Sequence, residues 1–328
     1  MLGVLARFLK IDEREAEFSR RGFSSARPEI RERLEHVGRT FLRGYHAALE
    51  ERELGALRES LEGIENEYRG FAYEGAAMAL ELGDALSPGR PRLPQFMAGL
   101  GRQHIYMLHV GAGWACARLP WRRRRMEASI RAFHPILRWL AVDGCGFHQG
   151  YFHFRAALKA KEIERWPLHA RHVFYQGFGR SLWFVHGCNP REIARTIASF
   201  DPQYQSDAWS GIGLACAYAG ALNAPEIAEL AALAGDRVAL AQGAAFAAKT
   251  RQLAGNPAQH TELACTVLCG TSAEQAAALC DETLGRVSSA HPMPYQEWRE
   301  LLQGSLSSPQ ESQRHSRQDV LSSQLTLS

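Results

Sequence analysis

Small and apolar residues recur along the chain at a nearly fixed interval. Aligned on one glycine each, seven segments read RGYHAAL at Gly44, EGAAMAL at Gly75, VGAGWAC at Gly111, DGCGFHQ at Gly144, QGFGRSL at Gly177, SGIGLAC at Gly211 and QGAAFAA at Gly243. Successive glycines lie 31, 36, 33, 33, 34 and 32 residues apart, each the difference of the two residue numbers. Self-similarity at such a period is the signature of stacked supersecondary units.

Between these segments lie helix punctuators and second amphipathic stretches. HGCNP (186–190) leads into REIARTIASF, LNAP into EIAELAALAGD, and AGNP into AQHTELACTVLC. Proline at or near a first helical position marks a helix start. Each period therefore predicts helix, turn, helix, turn. The fold expected is all-α, an array of helical hairpins forming a tetratricopeptide-like α-solenoid of about seven repeats over residues 28–303. Residues 1–27 begin MLGVLARFLK, apolar and basic but without a signal-peptide cleavage pattern. They read as an amphipathic segment that docks on this protein, on a partner or on a membrane surface. The Ser/Gln-rich stretch 304–328 has little to bury and reads as a disordered tail.

A glycine inside a helix costs about 1 kcal/mol relative to alanine, so seven of them need a reason. The residue four places on is small in six copies: Ala48, Ala79, Ala115, Ser181, Ala215 and Ala247. A stripe of small residues predicts a seam where neighbouring helix backbones approach closely. In DGCGFHQGYFHFR (143–155) the place belongs to His148, which predicts a seam opened by an imidazole. Tyr151 and Arg155 follow at i+3 and i+7 on the same face. His148, Tyr151 and Arg155, with Asp143 or Glu74 as carboxylates, form a candidate acid/base or anion site. The alternative is structural: a buried histidine satisfied by a neighbouring helix, and carboxylates accepting hydrogen bonds from adjacent helices.

Two columns precede the aligned glycines. Immediately before them come Arg43, Glu74, Val110, Asp143, Gln176, Ser210 and Gln242; one place earlier come Tyr73, His109, Tyr175 and Trp209. Equivalent positions of stacked units line one surface, so a mixed aromatic and polar face is expected along the array. Tyr73, His109, Tyr175, Gln176 and Trp209 are its candidate substrate-binding residues.

Composition narrows the classes. Thirty-eight basic against 35 acidic side chains, a net charge of +3, do not point to nucleic acid. Seven cysteines without a CxxC pair read as reduced thiols of a cytoplasmic protein. The nearest approach to a membrane span, AWSGIGLACAYAGAL (208–222), is too short. Histidines cluster centrally, at 134, 148, 153, 169, 172 and 186, but no spacing specifies a metal site. Nucleophile elbow, phosphate loop and dinucleotide fingerprint are missing, so no cofactor is indicated. Arg122, Arg123, Arg124 and Arg125 form the one strong charge run, either a solvated turn or a contact for an acidic partner or anionic membrane.

Taken together, FLRGYHAALE (41–50), RGFAYEGAAMALELGDAL (69–86), HVGAGWACARLPW (109–121), DGCGFHQGYF (143–152), GFGRSLWFVHG (177–187) and WSGIGLACAYAGA (209–221) resemble a family of uncharacterised proteins encoded beside enediyne polyketide synthases. The resemblance implies a component of enediyne biosynthesis acting after release of a linear polyene. It implies two partners: an integrin-like propeller protein and a membrane protein similar to an electron-transport subunit, through which the chain would sit peripherally at the membrane. It carries no catalytic residues. On this footing the chain is a substrate-binding or scaffold subunit for an apolar polyene. One alternative is an enzyme using the central His/Tyr/Arg site for oxidative or halogenating conversion; another is a generic adaptor binding a peptide.

Overall fold

Each glycine segment lies in a long helix in the computed structural model, which describes residues 8–24, 26–87, 89–157, 162–288 and 291–307. We number these long helices α1 (Pro28–Glu50), α2 (Arg69–Leu86), α3 (Ile105–Arg118), α4 (Trp139–Ala157), α5 (Leu168–Val185), α6 (Pro202–Ala219) and α7 (Arg237–Ala254). Shorter helices connect them, and there is no strand among the described residues. The all-helical expectation holds.

The punctuators act as read. Asn189 caps Pro190–Ala198 by accepting from the backbone N–H of Arg191 and Glu192, and Asn223 forms a capping box with Glu226 ahead of Ala224–Leu233. Such side-chain caps satisfy amides that have no partner inside the helix. Ahead of the first, Gly187 and Cys188 both take positive φ, which turns the chain out of α5 and into the asparagine.

Consecutive long helices pack side by side in chain order. His172 of α5 meets Asp207 near the start of α6, and Trp183 donates to the carbonyl of Gly220 just past its end. The two therefore run parallel, with Pro190–Ala198 returning the chain between them. The glycines are sutures at these contacts. A Cβ on Gly144 would stand 2.0 Å from the Val110 carbonyl oxygen of α3, and one on Gly146 2.1 Å from that of Phe174 in α5. The seam is thus cut by two glycines, two residues and about 200° apart, facing opposite neighbours. The pairs Gly111/Gly113, Gly177/Gly179 and Gly211/Gly213 do the same for α3, α5 and α6. Of the small residues four places on, Ser181 does sit in a seam, against Gly150, whereas Ala215 lines a cavity.

The row curls until its ends meet. Tyr218 of α6 packs edge-on against Phe71 of α2 at 5.0 Å and covers Gly70. Arg33 of α1 donates to the Ala219 carbonyl at 2.6 Å, and Arg251 of α7 to that of Glu67 at 3.1 Å, just ahead of α2. The long helices therefore enclose an interior instead of presenting a groove. A last helix, 294–307, enters it, burying Tyr295, Trp298, Arg299, Leu302 and Leu306. Helix thus runs four residues past the expected boundary at 303; residues 308–328, where the tail was expected, lie outside the described residues. At the other end, the described part of 1–27 docks on this protein. Phe18 is buried, and Arg21 donates to the Phe152 carbonyl of α4 at 2.9 Å. No single helix among the described residues is long and apolar enough to cross a membrane.

Candidate functional site

The curl leaves an interior cavity of about 60 Å³. Six consecutive helices each give it a ring: Phe41, Phe71, Trp114, Phe147, Phe184 and Tyr218. Glu74, Arg180 and the edge residue Glu15 are its charged groups. A second cavity of about 30 Å³ lies on the far side of Arg180, Leu214 and Tyr218, which line both, and is bounded by Trp298 of helix 294–307.

Arg180 stands between two buried carboxylates. Its Nη2 donates to Asp143 Oδ1 at 2.6 Å, and its Nη1 is 4.0 Å from Glu74 Oε1. Gln176 holds the other oxygen of Asp143 at 3.1 Å and meets the Tyr295 hydroxyl at 3.0 Å. Trp114 Nε1 donates to Glu74 Oε1 at 2.9 Å. The guanidinium also lies over the Phe147 ring, 4.5 Å from its centroid. Burial pushes the Glu74 carboxyl up to about 7; Arg180 and Trp114 oppose this, and the Asp143 charge adds to it. Burial raises Asp143 as well, against Arg180, Gln176 and Arg299. The direct ion pair is Arg180 with Asp143, while burial favours the neutral form of Glu74. A neighbouring pair, Arg299 with Asp207 at 2.7 Å, ties helix 294–307 to α6.

Of the predicted acid/base set, Glu74, Asp143 and Tyr151 gather around this interior, Tyr151 on the wall of the larger cavity. Arg155 does not join them. The backbone leaves helical geometry at His153 (φ −136°, ψ 29°), so the i+7 count fails and Arg155 is exposed. His148 is buried but does not open the seam, since Gly144 and Gly146 keep their close approaches on either side. Its imidazole meets Trp114 edge-on at 5.5 Å, and its Nδ1 has no hydrogen-bond partner. Burial, then His153 and the nearby Arg118, Arg123 and Arg21, hold it well below the ordinary histidine value. It is a neutral packing group.

The mixed face divides in two, because adjacent helical residues point about 100° apart. Glu74, Asp143, Gln176, Ser210 and Gln242 face the interior, where Glu74 accepts from Trp114 and the other four bond with one another or with helix 294–307. The aromatic column lines neither cavity. Tyr73 donates to Glu62 and stacks on His104, His109 bonds the Ile105 carbonyl, and Tyr175 stacks on Tyr204 at 4.1 Å; Trp209 is buried beside Gly235. Only Gln176 of the predicted substrate-binding residues therefore belongs to the interior. The arginine run is divided too. Arg122 pairs with buried Glu81, which burial lifts to about 7, and Arg123 donates to the Ala117 carbonyl at 3.1 Å, leaving Arg124 and Arg125 exposed. Arg122 is thus held by an ion pair within the molecule.

Arg180, the hub, is the one formally charged residue between Val173 and Cys188. A lone arginine in so apolar a run, four residues after Gln176, was the signal available to find it. Among the described residues no group of three His, Cys, Asp or Glu could hold a metal ion. All seven cysteines are buried and unbridged. No curated protein and no solved structure matches the chain. A family profile described as "Protein of unknown function (DUF1702)" matches residues 1–306. The chain belongs to that family.

Proposed function

We propose that this protein is the substrate-binding component of an enediyne pathway and that it holds an apolar, conjugated polyene inside its curled array of helical hairpins, a closed form of the tetratricopeptide-like solenoid. The observation that carries the reading is the cavity wall, with one aromatic ring from each of six successive helices. Ligand sites are concave, mostly apolar and furnished with a few placed polar groups. Flat π-faces suit a conjugated chain better than a saturated one. The partners in this proposal are the propeller and membrane proteins implied by the sequence resemblance, with Arg124 and Arg125 as exposed charges for such a contact.

The space sets a condition. A dry cavity that takes benzene measures about 150 Å³, so about 60 Å³ admits a polyene only when the interior widens. Two boundaries are placed to move: the wall of Leu214 and Tyr218 shared with the second cavity, and the N-terminal segment that Arg21 ties to α4. An enzymatic role has less support, because Arg155 is exposed and His148 is off the cavity wall.

The test is co-expression with the polyene-producing synthase and thioesterase, followed by purification. The polyene's absorption bands are expected to travel with the protein. They are expected to disappear in Ala215→Phe, which fills the cavity from its wall. Purification free of polyene from a producing host, or equal retention by the filled variant, contradicts the reading.

A further inference from the structure

The cavity carries a donor that a pure hydrocarbon leaves unused. Arg180 is 6% exposed, and of its three guanidinium nitrogens only Nη2 makes a hydrogen bond. Nε is buried without a partner, and Nη1 stands 4.0 Å from Glu74, beyond hydrogen-bond reach. Arg180 and Asp143 do not form the paired two-bond geometry arginine prefers: Arg180 donates to one oxygen and Gln176 to the other. A guanidinium offers five N–H donors, and a buried donor left unmatched is costly. Arg180 lies on the wall shared by both cavities, beside the aromatic ring of Phe147.

We propose that the molecule held here carries a neutral oxygen acceptor, a conjugated ketone or aldehyde, and that Arg180 binds that oxygen while the rings hold the unsaturated chain. This rests on the reading of the interior as a polyene site and narrows the substrate class. A neutral oxygen fits the local charge. Arg180 is already balanced by Asp143, so a ligand carboxylate would leave a surplus negative charge in a water-poor interior.

The test compares two probes of equal shape: heptadienone, a conjugated methyl ketone, and the methylheptatriene in which =CH₂ replaces the oxygen. Each is titrated into the whole protein by calorimetry. The ketone is expected to bind more tightly by on the order of tenfold or more, the usual value of a hydrogen bond from a charged donor. The paired variant Arg180→Met with Asp143→Asn, which leaves no lone buried charge, is expected to bind both probes alike. Equal binding of the two by the unmodified protein overturns the assignment while leaving the polyene site standing. Binding of neither, with or without Arg180, removes the site itself. A ketone preference that persists in the paired variant overturns the role of Arg180.

Discussion

Burial lifts the Glu74 carboxyl from an ordinary 4.5 to about 7. Between those values the folded chain keeps a proton that the unfolded chain releases, so stability falls as pH rises through the window. A shift of this size is worth about 3 kcal/mol. Glu74→Gln is therefore expected to melt like the parent at pH 4.5 and to be more stable by up to about 3 kcal/mol at pH 8. Denaturant unfolding at both values checks this, and a variant less stable at pH 8 would show that the ionised carboxylate is favoured. Glu81 is raised to a similar value, so part of the slope survives the substitution. Arg180 behaves in the opposite way. Arg180→Met alone strands Asp143 and is expected to cost about 3–5 kcal/mol, most of it recovered by adding Asp143→Asn.

At the scale of the helix, glycine has two uses that a single substitution separates. Gly146→Ala drives a methyl group into the Phe174 backbone, which has no side chain to swing aside. We expect a loss of about 1–3 kcal/mol in denaturant unfolding despite the better helix propensity. Gly83 lies in α2 with nothing within 4 Å of its would-be Cβ, and Gly83→Ala is expected to gain about 0.4–1 kcal/mol. Equal effects at the two positions would deny the sutures. Periodic glycines and Asn-Pro starts are local signals, which is why helix order and the seams were legible in the sequence. Four things were not. The second glycine of each pair has no place in an alignment on one glycine per segment, although it faces the other neighbour. Columns one residue apart were placed on one face, although about 100° separates them. The break at His153 carries no glycine or proline to announce it. Arg180 became a hub only when the curl brought α2, α4 and α5 around it.

The whole molecule depends on closure, which no local pattern specifies. Helix 294–307 reaches Gln176 across 119 residues of chain and seats Trp298, 2% exposed, against Phe246. Trp298→Ala is expected to cost about 3–5 kcal/mol. Removing residues 294–328 should lower the melting temperature further, since Asp207 then loses Arg299. An unchanged melting temperature would mean that the helix is an appendage and not part of the interior. The measurement closest to the centre of this account is a crystal structure of the protein soaked with heptadienone. The expected result is density among Trp114, Phe147 and Tyr218 with its oxygen on Arg180. Density only on the outer surface, with those rings unmoved, would contradict it.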